Sequence, residues 1–191
     1  MHFTLADLIA DISQNGAESG ADLVELHVSE TAAGKREFRF TVKDNGKGMS
    51  AEELKRIQDP FVTDGIKHPH RKVGLGIPFL IQTAEASDGG WRMESGKGKG
   101  TTVSAWFDLD NVDTPPVGDI PGLFRTVLLF SGPSEVVIKR LREGSGESGL
   151  DYEIRKTELT DALGDLEETQ SLILLGQYLR SLEENDEENE E

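Results

Sequence analysis

The sequence predicts an α/β domain, and three observations carry that expectation. Leu5, Leu8, Ile9, Ile12 and Gly16 recur at helical spacing, so one face of the first segment is apolar. Val24, Leu26 and Val28, then Phe38, Phe40 and Val42, alternate with period two, as half-buried strands do. Helix start signals follow: Ser50 with Glu53 forms a capping box, and Pro78 lies where a first helical turn accepts proline.

Taken in order, Thr4 is a helix cap and Asp7 favours the positive helix end. The first helix runs to near Gly20. Asp7, Asp11, Asn15 and Glu18 form a second stripe about a quarter-turn from the apolar one, which places Asp11 and Asn15 at the rim of the core. A hairpin follows, turning at "TAAGK" and returning from Glu37 to Asp44. After the short capped helix, residues 59–75 hold two prolines and two glycines with little periodicity and read as a long, lid-like loop. Ile77, Leu80, Ile81 and Ala84 mark the buried face of the next helix. In the hairpin "GGWRMES…GKGKG…TTVSAWFDL", Thr101 shares its parity with Val103, Ala105 and Phe107. These elements make up a first unit, residues 1–110. Residues 111–122 are expected to be a linker, rich in proline and glycine. Residues 123–182 are expected to form a small α+β unit: two strands around the Gly132-Pro133 turn, a strand from Tyr152 to Thr157, and helix from Thr160 to Leu182. The acidic tail, 183–191, is expected to be disordered.

Bulk properties narrow the function. Formal net charge is -16, and seven of the acids lie in the last nine residues, which leaves -9 on the rest. No basic excess exists to neutralise phosphates, so a nucleic-acid partner is not expected. The chain has no cysteine, which excludes disulfides and thiolate chemistry. No basic start precedes an apolar core at the N-terminus, and no 18 apolar residues run together. Neither signal peptide nor membrane span is expected, and a cytoplasmic location is the default.

One feature is chemically odd. Asp44 has the parity of the core residues before it, so the strand ends by aiming a carboxylate at its buried side, then breaks into Asn45-Gly46-Lys47-Gly48. An unpartnered buried acid is expensive, so a donor must meet it. Three other pieces need the same explanation: Asp11 and Asn15 on one helix rim, Gly74-Leu75-Gly76 at a helix start, and a glycine-rich turn leading into Thr101.

Together, in this order, the pieces resemble the GHKL superfamily, the Bergerat ATP-binding fold of gyrase, Hsp90 chaperones, histidine kinases and MutL repair proteins. "DISQNGAESGA" resembles its N box, "DNGKGM" its first glycine box, "DPFVTD" the approach to its ATP lid, "VGLGIPFLI" its second glycine box, and "GKGKGTTVSAWF" its closing Gly-Thr motif. The likeness covers roughly residues 3–108. It implies a two-layer sandwich, a mixed, mostly antiparallel sheet with helices on one face, and ATP with Mg²⁺ as cofactors. Asp44 would then accept from the exocyclic amine of adenine, with Thr101 closing the same network and Gly46, Gly48 and Met49 lining it. Asn15 would supply one oxygen to Mg²⁺. Backbone N–H groups at Gly74, Leu75 and Gly76 would form an anion nest, with Arg71 or Lys72 near a phosphate.

Two departures bear on activity. Asp11 stands where hydrolysing members carry a glutamate, one methylene longer, so hydrolysis is expected to be slow. Only three residues precede the first helix, so the dimerisation helices and phospho-accepting histidine of sensor kinases are expected to be absent. The resemblance therefore implies an Mg-ATP-driven switch with slow hydrolysis and a protein partner. Its alternatives are a stand-alone kinase passing the γ-phosphoryl to Ser or His of a partner, and a non-catalytic adaptor with a degenerate nucleotide site.

Overall fold

The computed structural model describes residues 4–31, 34–58, 76–144 and 149–184. Chain order is α1 (Leu5–Glu18), β1 (Leu23–Thr31), β2 (Glu37–Asp44), α2 (Ala51–Gln58), α3 (Gly76–Ala86), β3 (Gly90–Gly96), β4 (Gly100–Asp108), α4 (Ile120–Leu128), β5 (Glu135–Arg142), β6 (Leu150–Arg155), α5 (Lys156–Leu163) and α6 (Thr169–Glu184). The strands form one six-stranded sheet in the order β3-β4-β2-β1-β5-β6. Every pairing is antiparallel except β1 with β5, so the sheet is mixed, as the α/β expectation required.

The period-two pattern decides which side of the sheet is dry. Val24, Leu26 and Val28 of β1, Phe38, Phe40 and Val42 of β2, Val103, Ala105 and Phe107 of β4, and Val136 and Ile138 of β5 are buried in one core with the apolar faces of α1, α3, α4 and α6. On β2 the other parity is polar throughout (Glu37, Arg39, Thr41, Lys43), and charged residues of this face pair across strands: Lys43 with Glu25 at 2.9 Å, Lys139 with Glu153 at 3.2 Å. Such exposed pairs contribute little; the apolar face holds the sheet to its helices. No helix among the described residues is long and apolar enough to cross a membrane.

Local signals explain most of the elements. Thr4 caps α1 reciprocally with Asp7, and Ser50 caps α2 with Glu53. Residues 111–122, read as a linker, strap the start of α1: the N–H groups of Leu5 and Ala6 donate to the carbonyls of Pro116 and Val117, both at 2.9 Å.

The sequence reading of the C-terminal third needs correction. The first of the two expected strands around Gly132-Pro133 is the helix α4, which begins inside the stretch read as linker. Ile120, Leu123, Phe124 and Val127 repeat at helical spacing, Asp119 accepts from the Gly122 N–H at 2.9 Å, and Pro121 lies in the first turn. The strand expected at Tyr152–Thr157 is β6, Leu150–Arg155, and the expected single helix is two, α5 and α6, broken at Gly164 (φ +77). The strands of the expected small C-terminal unit join the same sheet, because β5 pairs in parallel with β1.

A polar group breaks the core pattern in β5. Arg140 has the parity of Val136 and Ile138 and is 1% exposed. Its Nε donates to Glu183 at 3.1 Å and its Nη2 to Glu30 at 2.7 Å, while the Tyr152 hydroxyl donates to Glu183 at 2.5 Å. Burial, with Glu183 beside it, pushes the Tyr152 phenol above its usual range. The last turn of α6 is thereby tied to three strands.

Candidate functional site

The site is built around the end of β2. Asp44 is 6% exposed, under α1 and against β4. Its Oδ1 accepts from the Gly46 N–H at 2.8 Å and the Ser19 hydroxyl at 3.0 Å, and Thr101 lies opposite it in the β2–β4 register. Burial raises the Asp44 pKa above the ordinary carboxylate value, and these donors only partly oppose it. An ionised carboxylate offers about four acceptor positions. Gly46 and Ser19 fill two, both on Oδ1.

The turn after Asp44 is pinned on both sides. The Asn45 side chain accepts from the N–H groups of Asp22 (2.9 Å) and Leu23 (3.0 Å). The Gly98 N–H donates to the Lys47 carbonyl at 2.7 Å, locking the β3–β4 turn onto it. The Ser95 hydroxyl lies 2.9 Å from that of Thr101, accepts from the Met49 N–H at 2.9 Å and donates to the Gly100 carbonyl at 3.0 Å.

The chain's own packing requires these glycines. A Cβ on Gly46 would collide with the Ser19 hydroxyl, and one on Gly48 (φ +58) with the Gly96 carbonyl oxygen. The protein itself fills the space. Gly48→Ala should therefore cost about 3 kcal/mol or more, since left-handed strain of 1–2 kcal/mol adds to a backbone collision. Thermal melting checks this; a loss under ~1 kcal/mol would show that the turn yields easily.

The other end of the site lies along α1. Asp11 and Asn15 are exposed on the rim, as the stripe required, and Gly76 opens α3 beside them. A Cβ on Gly76 would lie 3.6 Å from Asp11 Cβ and 3.8 Å from Asn15 Nδ2. Gly16 packs on Asp44, where its Cβ would be 3.4 Å from the Asp44 Cβ. One helix face thus runs Asp11, Asn15, Gly16, Ser19 from the start of α3 to the buried acid, about 12 Å at 1.5 Å per residue. Partial burial first, then the charge of Asp7, raises the Asp11 pKa. Asn15 and Asp11 offer oxygen donors suited to a hard cation that keeps most of its water. Among the described residues no cluster of three acidic or imidazole groups forms a ready metal site. Thr101 is half-buried, and Met49 packs at the edge of the core. Arg71, Lys72, Gly74 and Leu75 lie outside the described residues.

Ser19 and Ser95 were missed from sequence. Both were detectable: Ser19 lies one turn beyond Asn15 on the same stripe, and Ser95 lies opposite Thr101 in the hairpin register.

The model of the "Histidine kinase-, DNA gyrase B-, and HSP90-like ATPase" family matches residues 3–111, the span from α1 to β4 that holds all of these groups. The chain belongs to that family. The match brings with it an ATP-binding, kinase-like fold, consistent with the Bergerat arrangement of sheet and helices. Sporulation kinase C of Bacillus subtilis (strain 168) is 31% identical over 107 residues, 55% of this chain and 23% of that protein. Sensor histidine kinase ZraS of Escherichia coli (strain K12) is 28% identical over 96 residues, 50% of this chain and 19% of that protein. The chain thus spans about a fifth of the length of these curated relatives. A crystal structure of the N-terminal domain of a DNA repair protein aligns with 85% of this chain and 57% of its own, at 12% identity and TM-score 0.49.

Proposed function

We propose that the chain binds Mg-ATP in the cleft between α1, the end of β2 and the start of α3, and acts as an ATP-driven switch read by a protein partner. One observation carries the proposal: the buried Asp44 carboxylate, whose Oδ1 is held by Gly46 and Ser19, which leaves Oδ2 as the acceptor for an N–H donor. Adenine has such a donor in its exocyclic amine; guanine presents a carbonyl there, which would meet the carboxylate as a second acceptor. Asn15 is the residue that would hold Mg²⁺. When bound, the metal supplies charge neutralisation for the phosphates.

Asp11 is placed to orient and deprotonate water beside Asn15 and Gly76. Its shorter side chain supports slow turnover, which suits a timer better than a metabolic enzyme. Asp11→Asn should leave ATP affinity within about threefold and lower hydrolysis by 10²–10⁴-fold, the range for loss of a general base. Since the Asp11 pKa is raised and the base must be ionised, turnover in the parent should increase with pH to a plateau above the ordinary carboxylate range. Phosphate release measured from pH 4 to 8 tests both expectations; unchanged turnover in Asp11→Asn would remove Asp11 from the chemistry.

The fold supports a readout. α1 carries Asp11 and Asn15 on one face and packs against α4 on another, and α4 packs against α6. A nucleotide that shifts α1 therefore has a contiguous path to the C-terminal helices.

A further inference from the structure

A groove of about 440 Å³ lies at the edge strand β6, three strands from β2, floored by Ile154 of β6, Leu159, Ala162 and Leu163 of α5, and Leu174 and Tyr178 of α6. Leu174 and Tyr178 are one turn apart and 44% and 43% exposed, and neighbouring Ile173 is 57% exposed. This is the largest grouping of exposed apolar side chains among the described residues, and such groupings mark interaction surfaces.

The charge around the groove selects its occupant. Residues 156–184 carry seven acids and two bases. One of those bases, Lys156, is turned inward, its Nζ donating to the carbonyls of Phe130 (3.2 Å) and Pro133 (3.3 Å). The groove's own arginine, Arg155, is paired with Glu153 at 2.6 Å. Glu158 lines the groove, Asp161 lies on the same helix, and Asp165, Glu167 and Glu168 lie in the α5–α6 turn, so the two helices that form the groove carry an excess of negative charge. A second copy of this chain would bring the same acidic rim against itself, and like charges facing across an interface disfavour that pairing. The spacing of Leu174 and Tyr178 matches the i, i+4 repeat of a helix laid along α6.

We propose that the α5–α6 groove is a docking site for a cationic amphipathic helix of a partner protein, its apolar stripe seated on Leu174 and Tyr178 and its Lys and Arg side chains on the acidic rim. The proposal rests on the switch reading in one respect: it names the chemistry of the partner that the switch addresses. The site sits on α6, which α4 connects to α1, so occupancy and nucleotide state share a packed path.

The test uses the full chain without nucleotide and two 16-residue probes: a helical peptide with a Leu stripe flanked by Lys and Arg, and its counterpart with Glu in place of the basic residues. Fluorescence anisotropy should show the basic peptide binding at least tenfold more tightly. Leu174→Glu with Tyr178→Glu should then weaken it at least tenfold, although this adds two negative charges. Non-specific attraction would instead strengthen, so tighter or unchanged binding by the double variant overturns the proposal. Leu174→Ser with Tyr178→Ser should also weaken binding and excludes a misfolding explanation when its melting temperature matches the parent. Concentration-dependent dimerisation of the parent that the same substitutions abolish would assign the groove to a second copy, and would also overturn it. ATP titration of the Leu174→Ser, Tyr178→Ser variant separates the two proposals. Retained nucleotide binding with no peptide effect rejects the groove alone, whereas peptide binding without any ATP signal rejects the nucleotide reading alone.

Discussion

Asp44→Asn will abolish measurable ATP binding, by at least 100-fold, and will leave the fold as stable as the parent or more so. Both halves follow from the hydrogen-bond geometry. Gly46 and Ser19 donate to Oδ1, so an asparagine satisfies them only by turning its carbonyl oxygen their way. The amide NH₂ then faces the remaining position, where a bound adenine presents its own N–H. Two donors confront each other, and a buried donor left unsatisfied costs about 1–3 kcal/mol beyond the lost charge-assisted bond. Stability moves the other way. Burial raises the folded-state pKa of Asp44 above its unfolded value, so the native state takes up a proton more readily than the unfolded chain. Parent stability therefore falls as pH increases from the ordinary carboxylate value through the raised one, and is lower above that window. Asparagine removes this titration, so the variant should melt at the same temperature or higher at pH 7, by about 2–4 °C per kcal/mol recovered. Calorimetric titration and melting on one preparation check both. A variant that melts much lower would make Asp44 a structural acid, and its lost binding uninformative.

Arg140→Ala should be the most destabilising single change at a charged residue, costing about 3–5 kcal/mol. The guanidinium joins Glu30 of β1 and Glu183 of α6, both mostly buried; without it, two carboxylates converge with only the Tyr152 hydroxyl and, 3.8 Å from Glu183, the partly exposed Arg142 beside them. For a chain of this size the melting temperature should drop by about 6–20 °C at 2–4 °C per kcal/mol. Arg140→Met with Glu30→Leu and Glu183→Leu should recover most of the loss, because replacing a whole buried ionic group by apolar atoms is often neutral or better. ATP affinity of the folded fraction should stay within about threefold at ~0.6 kcal/mol. Arg140 pairs with Val28, four residues along β1 from the Val24 that pairs with Asp44, so the two groups lie toward opposite ends of the sheet. A drop of under ~2 °C would show that solvent, not the guanidinium, balances the two acids.

The amino-terminal two-thirds of the fold was legible because its signals are local. Thr4 with Asp7, Ser50 with Glu53, and Pro78 in a first turn each mark a helix start within four residues. The strand alternation from Val24 to Val42 survives in the burial of every expected residue. The C-terminal third was less legible for a physical reason. "RTVLLF" is as compatible with a strand as with a helix when read alone; the cap at Asp119 and the apolar residues Ile120, Leu123 and Phe124 decide it, and they lie in a stretch read as linker. The β1–β5 pairing links residues more than 110 apart and leaves no local trace.

At the candidate site, parity alone placed Asp44 inward and Thr101 beside it, and helical geometry placed Asp11 and Asn15 on one rim. What parity does not convey is what fills the space around a glycine. Ser19 over Gly46, and the Gly96 carbonyl against Gly48, are facts of tertiary packing. The turn after Asp44 is therefore shaped by contacts within the chain itself.

Titration calorimetry of the parent chain with ATP and with GTP, each with and without Mg²⁺, tests the central claim most directly. Saturable binding of ATP, strengthened by Mg²⁺ and at least 50-fold tighter than that of GTP, about 2.3 kcal/mol of discrimination, is the predicted result. Equal affinity for the two nucleotides, or no heat with either, would contradict the assignment of Asp44 as the group that selects adenine.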